Sequence, residues 1–346
     1  MNQVYDVMII GGGPAGLYSS FYAGLRDLSV ALFEAQPELG GKLSFYPEKM
    51  VWDIGALPPT KGKQVRAQLV EQGLTFAPDV FLDTKITTMV KQDTNFLLTD
   101  QHGKTYLGKT VLFAIGGGII SPQKLPCFIQ KQIGAYIHYE FPDQHAIFNK
   151  TLVVSGGGDG AVDYALEAKD YGANVIVCYR GEALKAHEAQ IKKLMQANIT
   201  VFTNVVIESI DPHFQEPLML NLRHTKTKAV QYVPCDHVLV QHGYDREADL
   251  LDTLDFQFTR QDDFYLLCEE PTKTNIPGIF AAGDIHSCVG KVNLLAGAFQ
   301  DAAQAVNQIK LYLEPESTKQ AMVSSHNQKF HEKNQEMLKE SWAVSE

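Results

Sequence analysis

An α/β fold built from two Rossmann-like domains is what this sequence predicts, and three observations carry the prediction. Short apolar strands alternate with helical stretches along most of the chain. A glycine-rich turn follows a strand twice, at Gly11 and again 145 residues later at Gly156. The length of 346 residues also exceeds the usual size of a single hydrophobic core. A repeat of this period indicates duplicated domains and not a solenoid of short units.

The first half opens with a βαβ unit. Residues 5–10 form an apolar run, 17–28 a helical stretch after the glycines, and 29–34 a second buried strand. This order predicts parallel strands covered by helices. An amphipathic helix is expected over 62–76, and 79–113 alternates in the manner of a β-meander.

The same cycle restarts in the second half, with strand, glycine turn, helix, strand, helix and meander. Apart from the glycine turn, these elements are predicted in that order at 150–155, 161–172, 174–180, 182–198 and 218–243. The last third supplies a long helix over 293–313 and a polar tail with a short helix.

The composition excludes several classes of protein. The formal net charge of −10 disfavours nucleic acid as a main partner. No stretch approaches the ~20 apolar residues of a membrane span, and residues 1–10 lack the pattern of a signal peptide, so we expect a cytoplasmic protein. The five cysteines include no CxxC pair, which indicates free thiols and no metal site.

The first glycine turn has the spacing of a dinucleotide-binding loop. Gly11, Gly13 and Gly16 form G-x-G-x-x-G between a strand and a helix. The first glycine permits the tight turn, the second lets a pyrophosphate approach the backbone, and the third lets the helix pack closely on the strand. Glu34 closes the next strand, 18 residues after Gly16. A carboxylate there accepts hydrogen bonds from a ribose diol, so the turn predicts a dinucleotide with an unmodified ribose.

The second glycine turn differs at the end of its following strand. Gly156, Gly158 and Ala161 give the G-x-G-x-x-A variant, but no acid closes the next strand. Arg180 lies there instead, and Lys185 follows. A carboxylate would repel a 2′-phosphate, whereas an arginine pairs with one. This turn therefore predicts a 2′-phosphorylated dinucleotide.

Two dinucleotides of different kinds suggest FAD and NADPH on one chain. A hydride passes from nicotinamide to flavin N5 when the two rings stack. The cofactors carry this chemistry, so no general acid or base is required. Negative charge then develops near flavin N1, where the N-terminus of a helix would stabilise it.

The order of these motifs resembles the two-dinucleotide-binding flavoproteins of the thioredoxin reductase family. "NIPGIFAAGD" at 275–284 is similar to the second FAD motif of that family, and "TVLFAIGGG" at 110–118 to the strand that closes its FAD domain. The resemblance implies three-layer ββα domains, with the NADPH domain inserted into the FAD domain and a C-terminal extension that covers the flavin. The implied boundaries are 1–117 and 242–313 for the FAD domain, 118–241 for the NAD(P)H domain and 314–346 for the extension.

One feature of thioredoxin reductases is missing. They carry a redox cysteine pair just before the NADPH turn, and residues 134–150 contain no cysteine. A dithiol relay cannot operate without thiols. The chain therefore resembles the sister family of thioredoxin-reductase-like ferredoxin/flavodoxin–NADP⁺ reductases. The stretch "GGKLSFYPEK" at 40–49 of this chain is similar to the flavin loop of that family. The stretch "AHE" at 186–188 is similar to its NADPH loop.

The family resemblance implies the cofactor contacts and the groups that cover the flavin. Tyr46 stacks on one flavin face, and a tail histidine from the partner subunit of a homodimer covers the other. His326 is the candidate and His331 its rival. Lys42 stands where the family has glutamine, and a cation there would favour an anionic reduced flavin. The implied FAD contacts are Gly11, Gly13, Pro14, Ala15, Gly16, Glu34, Gly41, Lys42, Leu43, Tyr46, Ile86, Ile120, Gly283, Asp284 and Ala298. Those for NADPH are Gly156, Gly158, Asp159, Ala161, Arg180 and Lys185.

The resemblance implies a ferredoxin–NADP⁺ reductase, in which single electrons leave the flavin for ferredoxin or flavodoxin. Two alternatives stay open: an NAD(P)H oxidase or diaphorase, and a flavin-binding redox sensor. An acidic carrier would need a local basic patch, for which Lys61, Lys63 and Arg66 form one candidate and Lys226 with Lys228 another.

Overall fold

The chain divides into two units in this computed structural model, which describes residues 3–127, 129–213, 217–246, 250–268, 270–331 and 334–335. The first unit comprises Met1–Ser44, Lys49–Ile119 and Glu247–Glu346. The second comprises Phe45–Glu48 and Ile120–Arg246.

The N-terminal part of the first unit contains eight strands and two helices in its described residues. The strands are β1 (Val4–Ile10), β2 (Val30–Phe33), β3 (Met50–Val51), β4 (Thr60–Lys61), β5 (Asp79–Phe81), β6 (Ile86–Gln92), β7 (Asn95–Asp100) and β8 (Thr105–Phe113). The helices are α1 (Pro14–Leu25) and α2 (Gly62–Gly73), and a 3₁₀ turn occupies Gly41–Phe45.

The second unit continues the chain with its own strands and helices. The strands are β9 (Ile120–Pro122), β10 (Ile137–His138), β11 (Thr151–Ser155), β12 (Asn174–Tyr179), β13 (Thr200–Thr203), β14 (Val205–Pro212), β15 (Leu218–His224), β16 (Val230–Cys235), β17 (His237–Val240) and β18 (Tyr244–Arg246). The helices are α3 (Gln144–Ile147), α4 (Asp159–Asp170) and α5 (Glu188–Gln196).

The chain then returns to the first unit. Its last elements are α6 (Leu250–Thr253), β19 (Arg260–Gln261), β20 (Tyr265–Leu267), β21 (Ile279–Ala281), β22 (His286–Ser287) and α7 (Leu295–Leu313), followed by 3₁₀ turns at Ser324–His326 and Gln328–Phe330.

A mixed sheet organises the first unit. Strands β5, β2, β1 and β8 run parallel, and β21 pairs with the end of β8. The first half of β8 pairs with β7 of the antiparallel β6–β7 meander. The long strand β8 therefore joins the parallel strands to the meander within one seven-stranded sheet, and the first glycine turn follows the carboxyl end of β1. The βαβ start predicted for this half is present. The meander predicted over 79–113 is formed by β6, β7 and β8, whereas residues 79–81 form the parallel strand β5.

The second unit repeats the plan. Its parallel sheet has the order β10-β17-β11-β12-β13, and β14, β15 and β16 form a separate antiparallel sheet. Val153 on β11 lies in a core cluster with the antiparallel strands, while its neighbour Val154 lies in a cluster with α4 and α5. Because successive strand residues face opposite sides, these two clusters make three layers. An α/β fold with Rossmann-like parallel sheets is thus confirmed.

Two predicted helices begin later in the structure. The helix expected over 182–198 spans Glu188–Gln196, and the one expected from residue 293 begins at Leu295. In the first case, Asp159 accepts a hydrogen bond from the His187 N–H (2.7 Å), and the Lys185 N–H donates to the Gly157 carbonyl (2.6 Å). These contacts draw 182–187 into a loop against the glycine turn. None of the helices in the described ranges combines the length and apolarity that a bilayer crossing needs.

Candidate dinucleotide-binding sites

The first glycine turn is shaped by close backbone contacts. Gly11 has φ +109° and donates its N–H to the Phe33 carbonyl (2.8 Å), which ties the turn to β2. A Cβ on Gly16 would lie 1.8 Å from the Gly11 carbonyl oxygen, so only glycine lets α1 start here. Pro14 begins the helix, and Gly13 caps it without a side chain. The first N–H groups of α1 therefore face a position where an anion is favoured.

Glu34 directly follows β2 and lies beside this turn. Its Oε2 accepts the N–H of Gly12 (2.7 Å), and its Oε1 accepts the N–H of Gln36 (2.9 Å). Burial raises the pKa of the Glu34 carboxyl, although these backbone donors favour its charged form. The carboxylate is therefore held in one orientation at the strand end, as a ribose-binding acid requires.

The loop after Glu34 folds back onto the glycine turn. The Gly40 N–H donates to the Gly12 carbonyl (2.9 Å), and a Cβ on Gly41, whose φ is +56°, would lie 2.8 Å from the Gly13 Cα. Arg66 holds the loop by donating to the Leu39 carbonyl (2.7 Å) and pairing with Glu38 (2.7 Å). Arg66, considered above for carrier docking, thus acts in building this cradle.

Lys42 and Asp284 meet at the same cradle. Lys42 Nζ lies 2.8 Å from Asp284 Oδ2, and both side chains are roughly half exposed. Asp284 follows Gly283, whose φ is +75° and where a Cβ would lie 2.8 Å from the Cβ of Ala15. The structure therefore brings together Ala15, Lys42, Gly283 and Asp284, which come from three separate segments.

Three further predicted FAD contacts lie inside the first unit as buried apolar residues. Leu43 is fully buried in the 3₁₀ turn, Ile86 is buried at the start of β6, and Ala298 is buried in the first turn of α7. Ile86 belongs to the main core cluster of the unit. Their predicted contacts with the cofactor stay predictions.

Tyr46 and Ile120 belong to the second unit. Phe45, next to Tyr46, packs its ring 5.0 Å from that of Tyr244, and the Tyr164 hydroxyl donates to the Phe45 carbonyl (3.4 Å). Ile120 begins β9, which pairs with β18. The stacking role of Tyr46 and the FAD contact of Ile120 stay predictions.

The second glycine turn is tight at its first glycine and open at its second. A Cβ on Gly156 would lie 2.3 Å from the Gln241 carbonyl oxygen, so the turn packs tightly against the backbone that follows β17. A Cβ on Gly158 would meet no atom within 4 Å. Asp159 begins α4 and Ala161 is buried against the sheet. The exposed Gly158 and the uncapped end of α4 leave room for a pyrophosphate, so this cradle also fits its predicted ligand.

The cations beyond β12 are exposed at the edge of this second cradle. Arg180 and Lys185 are exposed, and neither side chain makes an ion pair or hydrogen bond within the described ranges. Glu182, the acid nearest in sequence, pairs with Lys226 (3.1 Å). Its charge is therefore offset, and the strand end keeps a positive balance that suits a phosphate.

Sequence reasoning did not single out His242, which lies at the same turn. Its Nε2 lies 2.8 Å from the hydroxyl of Ser155, the last residue of β11. Burial and the nearby charge of Arg180 lower the pKa of His242. Only the strand pairing of β11 with β17 brings 155 and 242 together, and no local sequence signal could have found this contact.

The tail is anchored to the first unit on either side of His326. Arg26 donates to the Thr318 carbonyl (2.6 Å), Lys329 pairs with Asp27 (2.5 Å), and the Phe330 ring lies 5.6 Å from that of Phe76. His326 itself is exposed, with Nδ1 3.2 Å from the Ser325 hydroxyl. His331 is also exposed. Whether either ring covers a flavin stays a prediction.

Comparison with known proteins agrees with this geometry. Residues 5–308 match the family model described as pyridine nucleotide-disulphide oxidoreductase. A relative from Lysinibacillus sphaericus named "Ferredoxin--NADP reductase 3" is 43% identical over 348 residues and covers 100% of both chains. "Ferredoxin--NADP reductase 1" of Bacillus licheniformis is 42% identical and covers 98% of each. The fold is similar to that of thioredoxin reductase from T. acidophilum, with a TM-score of 0.65, 20% identity, and coverage of 91% of this chain and 100% of that one. The chain belongs to the pyridine nucleotide-disulphide oxidoreductase family.

Proposed function

We propose that this protein is an FAD-dependent ferredoxin–NADP⁺ reductase, which passes electrons between NADPH and a ferredoxin or flavodoxin. One observation carries the proposal: each unit holds a glycine-turn cradle, and the two cradles have opposite charge at the strand end. Glu34 closes the first with a carboxylate held by backbone N–H groups. Arg180 closes the second with an exposed guanidinium. The relatives named as ferredoxin–NADP reductases along their whole length support the same conclusion.

The residues of the first cradle would hold FAD. The N-terminal N–H groups of α1 bind pyrophosphate, and Glu34 accepts the ribose hydroxyls. Asp284 and Lys42 present one anion and one cation toward the rest of the cofactor. When bound, FAD supplies hydride acceptance at N5 and release of single electrons. The protein's part is to bind, orient and shield.

The residues of the second cradle would hold NADPH. Gly158 and the N-terminus of α4 receive the pyrophosphate, while Arg180 and Lys185 face the 2′-phosphate. All five cysteines are free thiols. Cys178 accepts the Gly156 N–H at its backbone carbonyl (2.9 Å), but its thiol is buried in β12. In this proposal the electrons pass from the flavin to a separate carrier. A homodimer and a cytoplasmic location complete the proposal.

The test is an anaerobic titration of purified protein with NADPH and with NADH, followed by reduction of a ferredoxin and of a flavodoxin. We expect a yellow protein that NADPH bleaches at lower concentration than NADH, and that then reduces at least one carrier faster than it consumes oxygen. Faster turnover with oxygen or a quinone than with either carrier would favour the oxidase or diaphorase alternative. Failure of the protein to take up FAD would overturn the proposal.

A further inference from the structure

A buried charged cluster lies beneath the Gly283–Asp284 turn of the first unit. It consists of His286, Lys291 and Asp301, whose side chains are 0%, 10% and 11% exposed. None of the three belongs to a glycine turn. Charged groups are rarely buried unless they are paired and hydrogen-bonded, because removing them from water is costly. The partners of this cluster therefore indicate what it does.

Both backbone polar groups of Gly283 are held by the cluster. Asp301 Oδ2 accepts the Gly283 N–H (3.1 Å), and Lys291 Nζ donates to the Gly283 carbonyl (2.8 Å). Lys291 and Asp301 also form an ion pair with each other. Gly283 is therefore clamped from one side, while Ala15 of α1 blocks the other.

His286 is the third member of the cluster and is held by the backbone of Thr272. Its Nε2 accepts the Thr272 N–H (3.3 Å), which places the ring proton on Nδ1. Nδ1 lies 3.3 Å from Asp301 Oδ2 without the alignment of a hydrogen bond. Burial raises the pKa of the Asp301 carboxyl, but the contacts from His286 and Lys291 outweigh it and hold that pKa below its usual value. Lys291 and Asp301 are thus the paired cation and anion of the cluster.

We propose that Asp301 and Lys291 are positioning residues for FAD binding, which act by fixing Gly283 so that Asp284 faces the cofactor. Asp284 follows the clamped residue directly, and its carboxylate reaches Lys42 on the opposite wall of the cradle (2.8 Å). If Gly283 were released, its left-handed backbone could relax and Asp284 would lose its direction. The inference rests on the proposed assignment of Asp284 to the FAD site.

Four variants separate positioning from simple stability. Asp301→Asn leaves Lys291 buried without its anion, so we expect a lower urea midpoint of the apoprotein and an FAD dissociation constant raised about tenfold or more. Asp301→Glu keeps the charge and should restore much of the affinity. Lys291→Met loses the bond to the Gly283 carbonyl. The pair Lys291→Met/Asp301→Asn removes both charges, so it should recover apoprotein stability while FAD affinity stays low.

FAD affinity is measured by quenching of flavin fluorescence on titration into apoprotein, with the visible circular dichroism of the bound flavin as a second signal. Recovery of wild-type affinity in the double variant, together with its stability, would show that the cluster is only structural and overturn the proposal. A wild-type protein that binds no FAD would instead overturn the proposed function.

A double-mutant cycle tests whether the cluster acts through Asp284. Asp284→Ala should weaken FAD binding, and adding Asp301→Asn should weaken it little further, because the residue being positioned is already gone. Losses that multiply would show that Asp301 acts by another route. The urea midpoint of each apoprotein is recorded alongside, so that a variant that fails to fold is recognised.

Discussion

Replacing Arg180 with alanine is the perturbation that tests the difference between the two cradles most directly. Arg180 is exposed at the end of β12, and within the described ranges its guanidinium makes no ion pair. Removing it breaks no visible contact, so the fold should be unaffected. The variant should therefore lose affinity only for a ligand that carries a phosphate at this position. NADP⁺ carries one there and NAD⁺ does not.

The expected loss of NADP⁺ binding free energy is modest because the Arg180 side chain is exposed to solvent. A unit charge pair about 4 Å apart contributes about 1 kcal/mol in water-like surroundings, and a phosphate carries between about one and a half and two charges. Charge-assisted hydrogen bonds contribute about 1.5–3 kcal/mol each. Because Arg180 is exposed and Lys185 stays in place, we take about 2 kcal/mol for the loss. This corresponds to an NADP⁺ dissociation constant raised about 30-fold.

Isothermal titration calorimetry of the oxidised protein with NADP⁺ and with NAD⁺ measures the two dissociation constants without turnover. The NAD⁺ dissociation constant should change less than about twofold, and the NADP⁺ effect should shrink as salt is added. Arg223→Ala is the matched control, since Arg223 is an arginine of the same unit, on β15, that pairs with Glu208 (2.6 Å). Equal losses for both nucleotides, or no loss for either, would refute the role of Arg180.

Three further predictions test other parts of the two units. Glu34→Gln presents an amide where two backbone N–H groups now donate to a carboxylate, so the FAD dissociation constant should rise about tenfold or more by fluorescence titration. Lys42→Gln removes the cation beside Asp284, so the two-electron reduction potential of bound flavin, measured by dye equilibration, should fall. Burial and the neighbouring His237, whose Nδ1 lies 3.0 Å away, lower the pKa of His138 to about 4. The unfolded state therefore binds protons at this histidine between about pH 6.5 and 4, where the folded state does not. The full shift corresponds to ~3 kcal/mol. Solvent screening of the partly exposed ring reduces this, so the stability of the second unit should fall by about 1–2 kcal/mol across that window. Hydrogen exchange of β10 and β17 measures this loss, and His138→Asn should reduce it.

Features encoded in short stretches could be predicted from the sequence, because strand, glycine turn and helix succeed each other within about 30 residues. The paired cradles, with Glu34 at one strand end and Arg180 at the other, belong to this group. What could not be predicted depends on side chains far apart along the chain. The loop at 182–187 is held by Asp159, and the flavin-loop anchor Arg66 lies on α2. Pairing of this kind is decided by tertiary packing, which has no local signature.

The buried acid Asp301 does carry a signal in the sequence, because its neighbours on the same face of α7 are apolar. It lies on α7 three residues after Ala298 and four before Ala305, both buried. These spacings place all three on one helix face. An acid on an otherwise apolar face must have a partner, so the pattern predicts a buried ion pair. It does not predict that Lys291 is the partner or that Gly283 is held between them, because both contacts depend on how the loop before α7 folds.

The expected lack of a thiol relay leads to a prediction about electron stoichiometry. Cys178 and Cys268 are buried, and burial raises the pKa of each thiol to about 12, so neither forms the thiolate that disulfide exchange requires. A flavin alone accepts two electrons, whereas a flavin with a redox disulfide accepts four. Anaerobic titration with dithionite should therefore need two electrons per flavin for complete reduction, and the variant with Cys127→Ser and Cys288→Ser should reduce a carrier at the wild-type rate. An uptake of four electrons would contradict this reasoning. It would direct attention to Cys268 and Cys288, which directly follow the paired residues Leu267 and Ser287 of β20 and β22.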